Sequence, residues 1–203
     1  MRLGKACMRL TFATLAWGVA AVAVAGDLAW MASDKCRQRA RGGAVGMASY
    51  GPSLDRVCDR FGCDPALVAA IITVESQWNP YAVRYESGYR WLHQPERYAR
   101  QQGIALEVEE LFQRMSWGLM QLMGGSAREM GFNLPLPALC DGMIGIEYGI
   151  RYLVALKRNY KTRDDLISAY NSGTAKKKPN GLYTNQVYVD KVNRVLRKHD
   201  STR

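Results

Sequence analysis

Apolar side chains recur every three or four residues along most of this chain, and strand-like alternation is almost absent. Such spacing places the apolar groups on one face of an α-helix. The pattern predicts helices at residues 54–61, 66–78, 143–160, 164–170 and 187–196. Asp64 and Pro65 suit the N-cap and first position of the second helix, and Ser126 with Glu129 fits a capping box. We therefore expect an all-α domain, with at most a vestigial sheet.

The N-terminus has the pattern of a secretory signal. Three basic residues among the first nine precede an uncharged run of 16 residues that ends in Ala-Val-Ala at 23–25. This order predicts a signal peptide over residues 1–25. The run is shorter than the roughly 20 apolar residues of a spanning helix, but apolar residues resume at 28–31. An uncleaved membrane anchor is therefore the alternative, and either way we expect export to the periplasm or cell envelope.

Charge and composition divide the rest of the chain and restrict its partners. A basic stretch with several glycines at residues 26–50 is typical of a flexible linker, and we expect the compact domain over residues 51–203. Lys and Arg outnumber Asp and Glu by 28 to 18, a net charge of +10 that suits a polyanionic partner. Because export and the absence of a reader motif disfavour nucleic acid, the carboxylate-rich cell wall is the expected partner.

The cysteine and histidine pattern predicts no metal site. Five cysteines are present, of which Cys58, Cys63 and Cys140 lie in the predicted domain. A bridge from Cys58 to Cys63, a bridge from Cys63 to Cys140, and free thiols all remain open, because sequence does not determine connectivity. The two histidines are isolated and no Cys/His cluster has zinc spacing, so we expect neither a metal nor another cofactor.

Three short strings carry the candidate chemistry, in order along the predicted domain. They contain Glu75 and Ser76, then Gly118, Leu119, Met120 and Gln121, and finally Tyr170 and Asn171. Glu75 follows a markedly apolar run at residues 68–74. Apolar surroundings disfavour a carboxylate and so raise its pKa, as a general acid working near neutral pH requires. We therefore expect Glu75 to be the catalytic carboxyl.

The second string combines a flexible backbone position, an amide and apolar side chains. Gly118 lets the backbone approach a ligand closely, and Gln121 offers a carbonyl and an amide to polar groups of that ligand. Leu119 and Met120 provide a soft apolar wall. We expect these residues, together with Ser76, to contact substrate.

Taken together, the three strings resemble the catalytic domain of the family 1 lytic transglycosylases, the soluble-lytic-transglycosylase or goose-lysozyme-like group. The resemblance covers roughly residues 51–197. It implies a lysozyme-like helical domain that cleaves the β-1,4 bond between N-acetylmuramic acid and N-acetylglucosamine in peptidoglycan. In this family one glutamic acid acts first as acid and then as base. The C6 hydroxyl of the muramyl residue attacks its own C1, and a 1,6-anhydro end results.

The resemblance also implies roles for three residues beyond Glu75. The Tyr170 hydroxyl would contact Glu75 and orient it, Asn171 would lie in the groove, and Tyr188 matches a further family position near the C-terminus. The chain departs from the family at residues 123–126, where Met-Gly-Gly-Ser stands in place of a common Pro-Ala-Thr string. This departure affects a helix start and leaves the acid in place.

Two other functions compete with this interpretation. A hydrolytic lysozyme on the same fold would need a second carboxyl opposite Glu75, and no string marks one. A non-catalytic wall-binding or assembly module, within a secretion or phage-entry apparatus, would not need the intact residues Glu75, Gln121 and Tyr170. The aromatic-rich segment at residues 81–115 suits either a groove wall or a satellite hydrophobic cluster.

Overall fold

The computed structural model describes residues 43–200, with side chains for residues 49–198. In this part of the chain the α-helices are α1 (Gly43–Phe61), α2 (Pro65–Glu75), α3 (Pro95–Gln102), α4 (Leu106–Gln113), α5 (Gly124–Glu129), α6 (Gly142–Lys157), α7 (Arg163–Ser172) and α8 (Gln186–Asp200). A 3₁₀ helix lies at Leu136–Cys140, and the strands are β1 (Val83–Tyr85), β2 (Met115–Trp117) and β3 (Leu122–Met123). The expected helical fold with a vestigial sheet is confirmed.

Helix α2 lies at the centre of the main core. It packs against α1 and α8, while α6 packs against α1 and α7. Val68, Ile71 and Ile72 of α2 are completely buried. A helix enclosed from several sides is apolar nearly all round, which explains the uninterrupted apolar run before Glu75. The carboxyl of Glu75 is therefore carried to the end of a buried helix.

A smaller core lies beneath the sheet. Its fully buried members include Phe132 and Leu139, and Trp117 of β2 packs with them. The three strands are antiparallel in the order β1-β2-β3, with Arg84 opposite Ser116 and Trp117 opposite Leu122. The sheet thus brings the segment after α2 alongside the start of the second string.

The aromatic-rich segment at residues 81–115 divides between the two roles expected of it. Tyr98 is buried and donates a hydrogen bond to the Arg128 carbonyl, as a residue of a hydrophobic cluster would. Tyr81 and Trp91, by contrast, are 75% and 74% exposed. Exposed rings of this size are available for contact with a ligand.

The start of α2 follows the sequence prediction, and two other starts do not. Asp64 caps α2 by accepting a hydrogen bond from the Ala66 N–H. Helix α1 begins at Gly43, so it includes the last residues of the segment 26–50 that was predicted as a linker. Pro52 normally breaks a helix, but here it lies within α1. The Tyr50 ring in this turn packs against Gly142 of α6, and such a tertiary contact can override the local preference.

The capping box predicted at Ser126 is also wrong. Helix α5 begins two residues earlier, at Gly124, with Met123 as its N-cap. The Ser126 hydroxyl lies 3.3 Å from the Tyr89 hydroxyl, in hydrogen-bonding contact. A tertiary partner has therefore taken the place of the local cap.

The predicted signal peptide, and the predicted linker up to residue 42, lie outside the described residues. Within residues 43–200, no helix combines the length and the apolar content that crossing a bilayer requires.

Candidate active site

The candidate acid, Glu75, is the last residue of α2, and its side chain is partly buried. Ser76 caps the helix with its N–H on the Ile72 carbonyl, and the chain then turns away. The carboxyl therefore leaves the apolar core at the point where the helix stops. This position combines apolar surroundings with an opening toward solvent.

Tyr188 of α8 is the hydrogen-bond partner of this carboxyl. Its hydroxyl donates to Oε1 of Glu75 at 2.7 Å. Tyr188 was expected only as a further family position, whereas the orienting role was expected of Tyr170. The expected hydrogen bond from Tyr170 to Glu75 is wrong, because the Tyr170 hydroxyl donates to the Met120 carbonyl at 2.8 Å.

The pKa of Glu75 is raised above its ordinary value. Burial is the largest cause, since it disfavours the charged form, and the negative charge of Glu86 adds to it. The hydrogen bond from Tyr188 and the positive charge of Arg84 act in the opposite direction. The expected elevation of the Glu75 pKa is therefore found. The raised pKa shifts this carboxyl toward the protonated form, which is the form that a general acid uses.

The second string, residues 118–121, connects the first and third strings through its backbone carbonyls. The Ser76 hydroxyl donates to the Leu119 carbonyl at 2.7 Å, and Tyr170 binds the next carbonyl, that of Met120. Both bonds are buried or partly buried, where an unpaired carbonyl would be costly. Ser76 and Tyr170 thus hold α2, the second string and α7 in one arrangement.

The side chains of the second string face inward, which corrects part of the expectation. Leu119 and Met120 are completely buried, so they do not form an exposed apolar wall. A Cβ at Gly118 would lie 2.3 Å from the Leu139 carbonyl oxygen, and its φ is +69°. The close approach that the structure shows at Gly118 is to the 3₁₀ helix.

Gln121 is held mainly by its own neighbours. Its amide nitrogen donates to the carbonyls of Ala82 and Gly118, and its amide oxygen accepts from the Ser116 hydroxyl. Both amide hydrogens are used, which leaves one acceptor position on the oxygen. Sugar binding by Gln121 and Gly118 stays a prediction, and their observed contacts close the turn between β2 and β3.

Asn171 lies at the exposed end of α7, next to the loop that leads to α8. Its side-chain oxygen accepts a hydrogen bond from Asn185 at 2.9 Å. Asn185 also exchanges hydrogen bonds with Ser168 of α7. This network fixes the start of α8 and therefore the position of Tyr188. The groove role of Asn171 stays a prediction.

Arg84 and Glu86 are the charged neighbours that the sequence did not single out. They form an ion pair at 2.7 Å at the end of β1, and both influence the charge on Glu75. Strand β1 has three residues, all exposed, which is too short for an alternating pattern to appear in the sequence. Only the pairing of β1 with β2 reveals that this segment borders the site.

No metal-binding group is found in this part of the chain. Within residues 43–200, no three side chains of His, Cys, Asp or Glu are grouped to hold a metal ion. The described site holds the Glu75 carboxyl, its partner Tyr188 and the Arg84–Glu86 ion pair.

Comparison with known proteins agrees with this geometry. Residues 55–191 match the family model described as the transglycosylase SLT domain. The chain therefore belongs to the transglycosylase SLT domain family, whose lysozyme-like helical fold it shares.

Two similar proteins illustrate the relationship. The chain is 30% identical over 166 residues to the membrane-bound lytic murein transglycosylase C of Histophilus somni (strain 2336), which covers 71% of this chain and 40% of that protein. It is 26% identical over 170 residues to the protein of the same name from Haemophilus influenzae (strain PittGG), covering 72% and 40%. The chain thus spans about 40% of the length of these relatives.

Proposed function

We propose that this protein is a peptidoglycan lytic transglycosylase. It would cleave the β-1,4 bond between N-acetylmuramic acid and N-acetylglucosamine and leave a 1,6-anhydro-muramyl end. The observation that carries the proposal is the Glu75 carboxyl, which ends a buried helix, has a raised pKa and accepts a hydrogen bond from Tyr188. Family membership and the names of the similar proteins support the same activity.

In the proposed mechanism Glu75 acts twice. Its protonated form donates a proton to the glycosidic oxygen as the bond to C1 of the muramyl residue breaks. The resulting carboxylate accepts the proton of the C6 hydroxyl on the same sugar, while the C6 oxygen bonds to C1. No water is consumed, because the substrate supplies its own nucleophile in a ring-closing step.

Tyr188 suits the second half of this cycle. Its hydroxyl stabilises the carboxylate form of Glu75 and holds the carboxyl in one orientation. A carboxyl that must first give and then take a proton needs neither form to be strongly preferred. Burial favours the protonated form of Glu75, whereas the Tyr188 hydrogen bond favours the carboxylate, so the two effects oppose one another.

The exposed rings beside the site suit a glycan ligand. Tyr85 of β1 is 52% exposed, and Tyr81 stands just before the same strand. Both rings lie within three residues of Arg84, whose positive charge acts on Glu75. Aromatic faces at the edge of a cleft can stack on sugar rings, so we assign Tyr81 and Tyr85 to the groove wall.

Hydrolysis is the alternative, and one observation favours it specifically. Glu86 is near enough for its charge to raise the pKa of Glu75, so it is a candidate second carboxyl that could position water. Its 2.7 Å ion pair with Arg84 engages one of its oxygens. A wall-binding module without catalysis would use the same groove, but it would have no need of the poised acid.

We also propose that the protein works in the cell envelope, where its substrate lies. The similar proteins are named as membrane-bound, and the N-terminal pattern of basic residues and a short apolar run predicts export. Cleavage of that segment, membrane association through it, and a role in a secretion or phage apparatus stay predictions.

The deciding experiment digests purified peptidoglycan with the full chain and analyses the soluble products by mass spectrometry. Anhydro-muropeptides, lighter by one water (about 18 Da) than hydrolysed ones, would support the proposal. Reducing-end products that disappear in Glu86→Gln would establish the hydrolytic alternative. If both the natural chain and Glu75→Gln bind glycan but release no product, the protein is a wall-binding module without catalysis.

A further inference from the structure

Cys58 and Cys63 lie on the two sides of the turn that ends α1 and leads into α2. Gly62 between them has a φ of +64°, and the Cys63 N–H donates to the Cys58 carbonyl at 3.0 Å. This is the hydrogen bond of a Schellman motif, in which the side chains of the first and last residues contact one another. Here both side chains are thiols, and each is near enough to influence the pKa of the other.

We propose that Cys58 and Cys63 form an intramolecular disulfide when the protein meets a disulfide donor. The turn already holds the backbones of the two residues within one hydrogen bond of each other, so closing the bond requires little movement of the backbone. Both are free thiols in the structure, and the proposal concerns their oxidation. The predicted export places the chain where such bonds persist.

The position of Cys140 argues against the other bridge that the sequence left open. Cys140 ends the 3₁₀ helix and packs with the smaller core, beside the backbone of Gly118. Cys58 and Cys63 belong to the main core. A bond from Cys63 to Cys140 would have to join two separate clusters, whereas the bond to Cys58 joins neighbours.

The two thiols differ in a way that assigns each a step. Cys63 is partly exposed and lines a surface cavity of about 240 Å³ with Lys157, whereas Cys58 is completely buried. The pKa of Cys63 is lowered, mainly by the hydrogen bond from Cys58 and to a smaller extent by Lys157. Cys63 is therefore the thiol that an external disulfide reaches first.

The exchange balances with an organic disulfide as oxidant. The Cys63 thiolate attacks one sulfur of the donor and displaces the other as a thiolate, which leaves a mixed disulfide. The Cys58 sulfur then attacks Cys63, loses its proton to solvent, and displaces the second donor thiolate. Two electrons pass to the donor, and the two thiolates it releases take up two protons.

The bond would lie far from the proposed acid. Cys63 is at the N-terminal side of α2 and Glu75 is its last residue, so the 11-residue helix separates them by roughly 16 Å. Oxidation should therefore stabilise the corner between α1 and α2 and leave turnover unchanged. The inference stands whether or not the proposed function is correct.

The test uses the full chain, reduced, freed of reductant and incubated with oxidised glutathione. Trypsin cuts after Arg60, between the two cysteines, so the bond would link peptide 57–60 to peptide 61–84. Mass spectrometry without reductant should find this linked pair about 2 Da below the sum of the free peptides. Cys140, in peptide 129–151, should stay open to alkylation.

Three outcomes would overturn the proposal: a link from either peptide to 129–151, a lasting glutathione adduct on Cys63, or two thiols that remain alkylable. Cys140→Ser is the matched control and should give the same linked pair. Cys58→Ser should instead trap glutathione on Cys63, because no second thiol is left to release it. If Cys140→Ser abolishes the linked pair, Cys140 takes part and the assignment is wrong.

Discussion

The Tyr188 hydroxyl donates to Oε1 of Glu75 at 2.7 Å and so joins the last helix of the domain to the end of its central helix. Burial favours the protonated carboxyl, and this bond favours the carboxylate. The two effects have opposite signs at one atom. Removing the hydroxyl should therefore change the proton affinity of Glu75 and leave the acid itself in place.

Tyr188→Phe should shift the pH dependence of turnover. Without the donated hydrogen bond the pKa of Glu75 rises further, so the protonated form persists to higher pH and the alkaline limb moves upward. The rate at the optimum should fall roughly 10-fold, as one positioned hydrogen bond is lost. The check is the rate of soluble glycan release between pH 4 and 9. An unchanged profile would show that the bond does not act on the reacting carboxyl.

Tyr170→Phe is the matched control and should behave differently. Its hydroxyl binds the Met120 carbonyl, so the change leaves a buried acceptor unpaired and costs about 1–3 kcal/mol of unfolding free energy. The alkaline limb of the pH profile should stay in place. Urea unfolding measures the first effect and the same release assay the second. A shifted limb without loss of stability would return the orienting role to Tyr170.

Glu75→Gln should remove activity and stabilise the fold at neutral pH. The activity loss should be at least roughly 10²–10⁴-fold, the usual contribution of a general acid–base group. Because the folded pKa lies above its ordinary value of 4.5, the ionised carboxyl destabilises the native state above the folded pKa. That penalty disappears as pH falls through the folded pKa. The variant's Tm advantage should thus be largest near pH 8 and vanish below pH 4.5.

The thermal measurement has a simple control in Glu107→Gln, on the exposed side of α4, which should change Tm little. Equal Tm values for Glu75→Gln and the natural protein across the pH range would contradict the raised pKa.

The sequence was sufficient to place Glu75 at the end of a buried helix and insufficient to identify its hydrogen-bond partner. An apolar run that ends in Glu75 predicts a carboxyl at the end of a buried helix, because burial follows directly from composition. Which tyrosine reaches that carboxyl depends on how α7 and α8 rotate against α2. That rotation is set by packing among distant segments, so the motif at Tyr170 and the position of Tyr188 could not be told apart beforehand.

The second string shows a different limit of prediction from sequence. Leu119 and Met120 could equally form a groove wall or a core, and their apolar character does not distinguish the two. Their observed role depends on backbone carbonyls, which accept hydrogen bonds from Ser76 and Tyr170. Backbone acceptors are the same at every position and leave no trace in a side-chain pattern.

The Gly-Gly pair at the start of α5 predicts a position that does not tolerate a side chain. A Cβ at Gly125 would lie 2.5 Å from the Trp91 carbonyl oxygen and 2.8 Å from the Tyr89 hydroxyl. Gly125→Ala should therefore cost about 1–3 kcal/mol in urea unfolding, as overpacking does. Gly88→Ala, in the loop after β1, where a Cβ meets open space, is the control and should be nearly neutral.

The buried ion pair between Glu109 and Arg128 joins α4 to α5 and should be the most sensitive contact outside the main core. Both side chains are fully buried, and two hydrogen bonds of 2.7 and 2.9 Å connect them. Arg128→Leu leaves the buried Glu109 charge without its cationic partner, with only the hydrogen bond from Gln113, and should cost about 3–5 kcal/mol of unfolding free energy. Glu110→Gln, which breaks the partly exposed pair with Arg114 on the same helix, should cost about 0–1 kcal/mol.

A double variant separates the pair from its burial cost. Glu109→Leu combined with Arg128→Leu removes both charges, so its cost should be smaller than the sum of the two single changes. The double variant should still be less stable than the natural protein, because Arg128 also donates to the carbonyls of Phe132 and Leu134. Additive single costs would mean that the two charges do not interact. In that case Arg128 would hold the end of α5 through the backbone carbonyls alone.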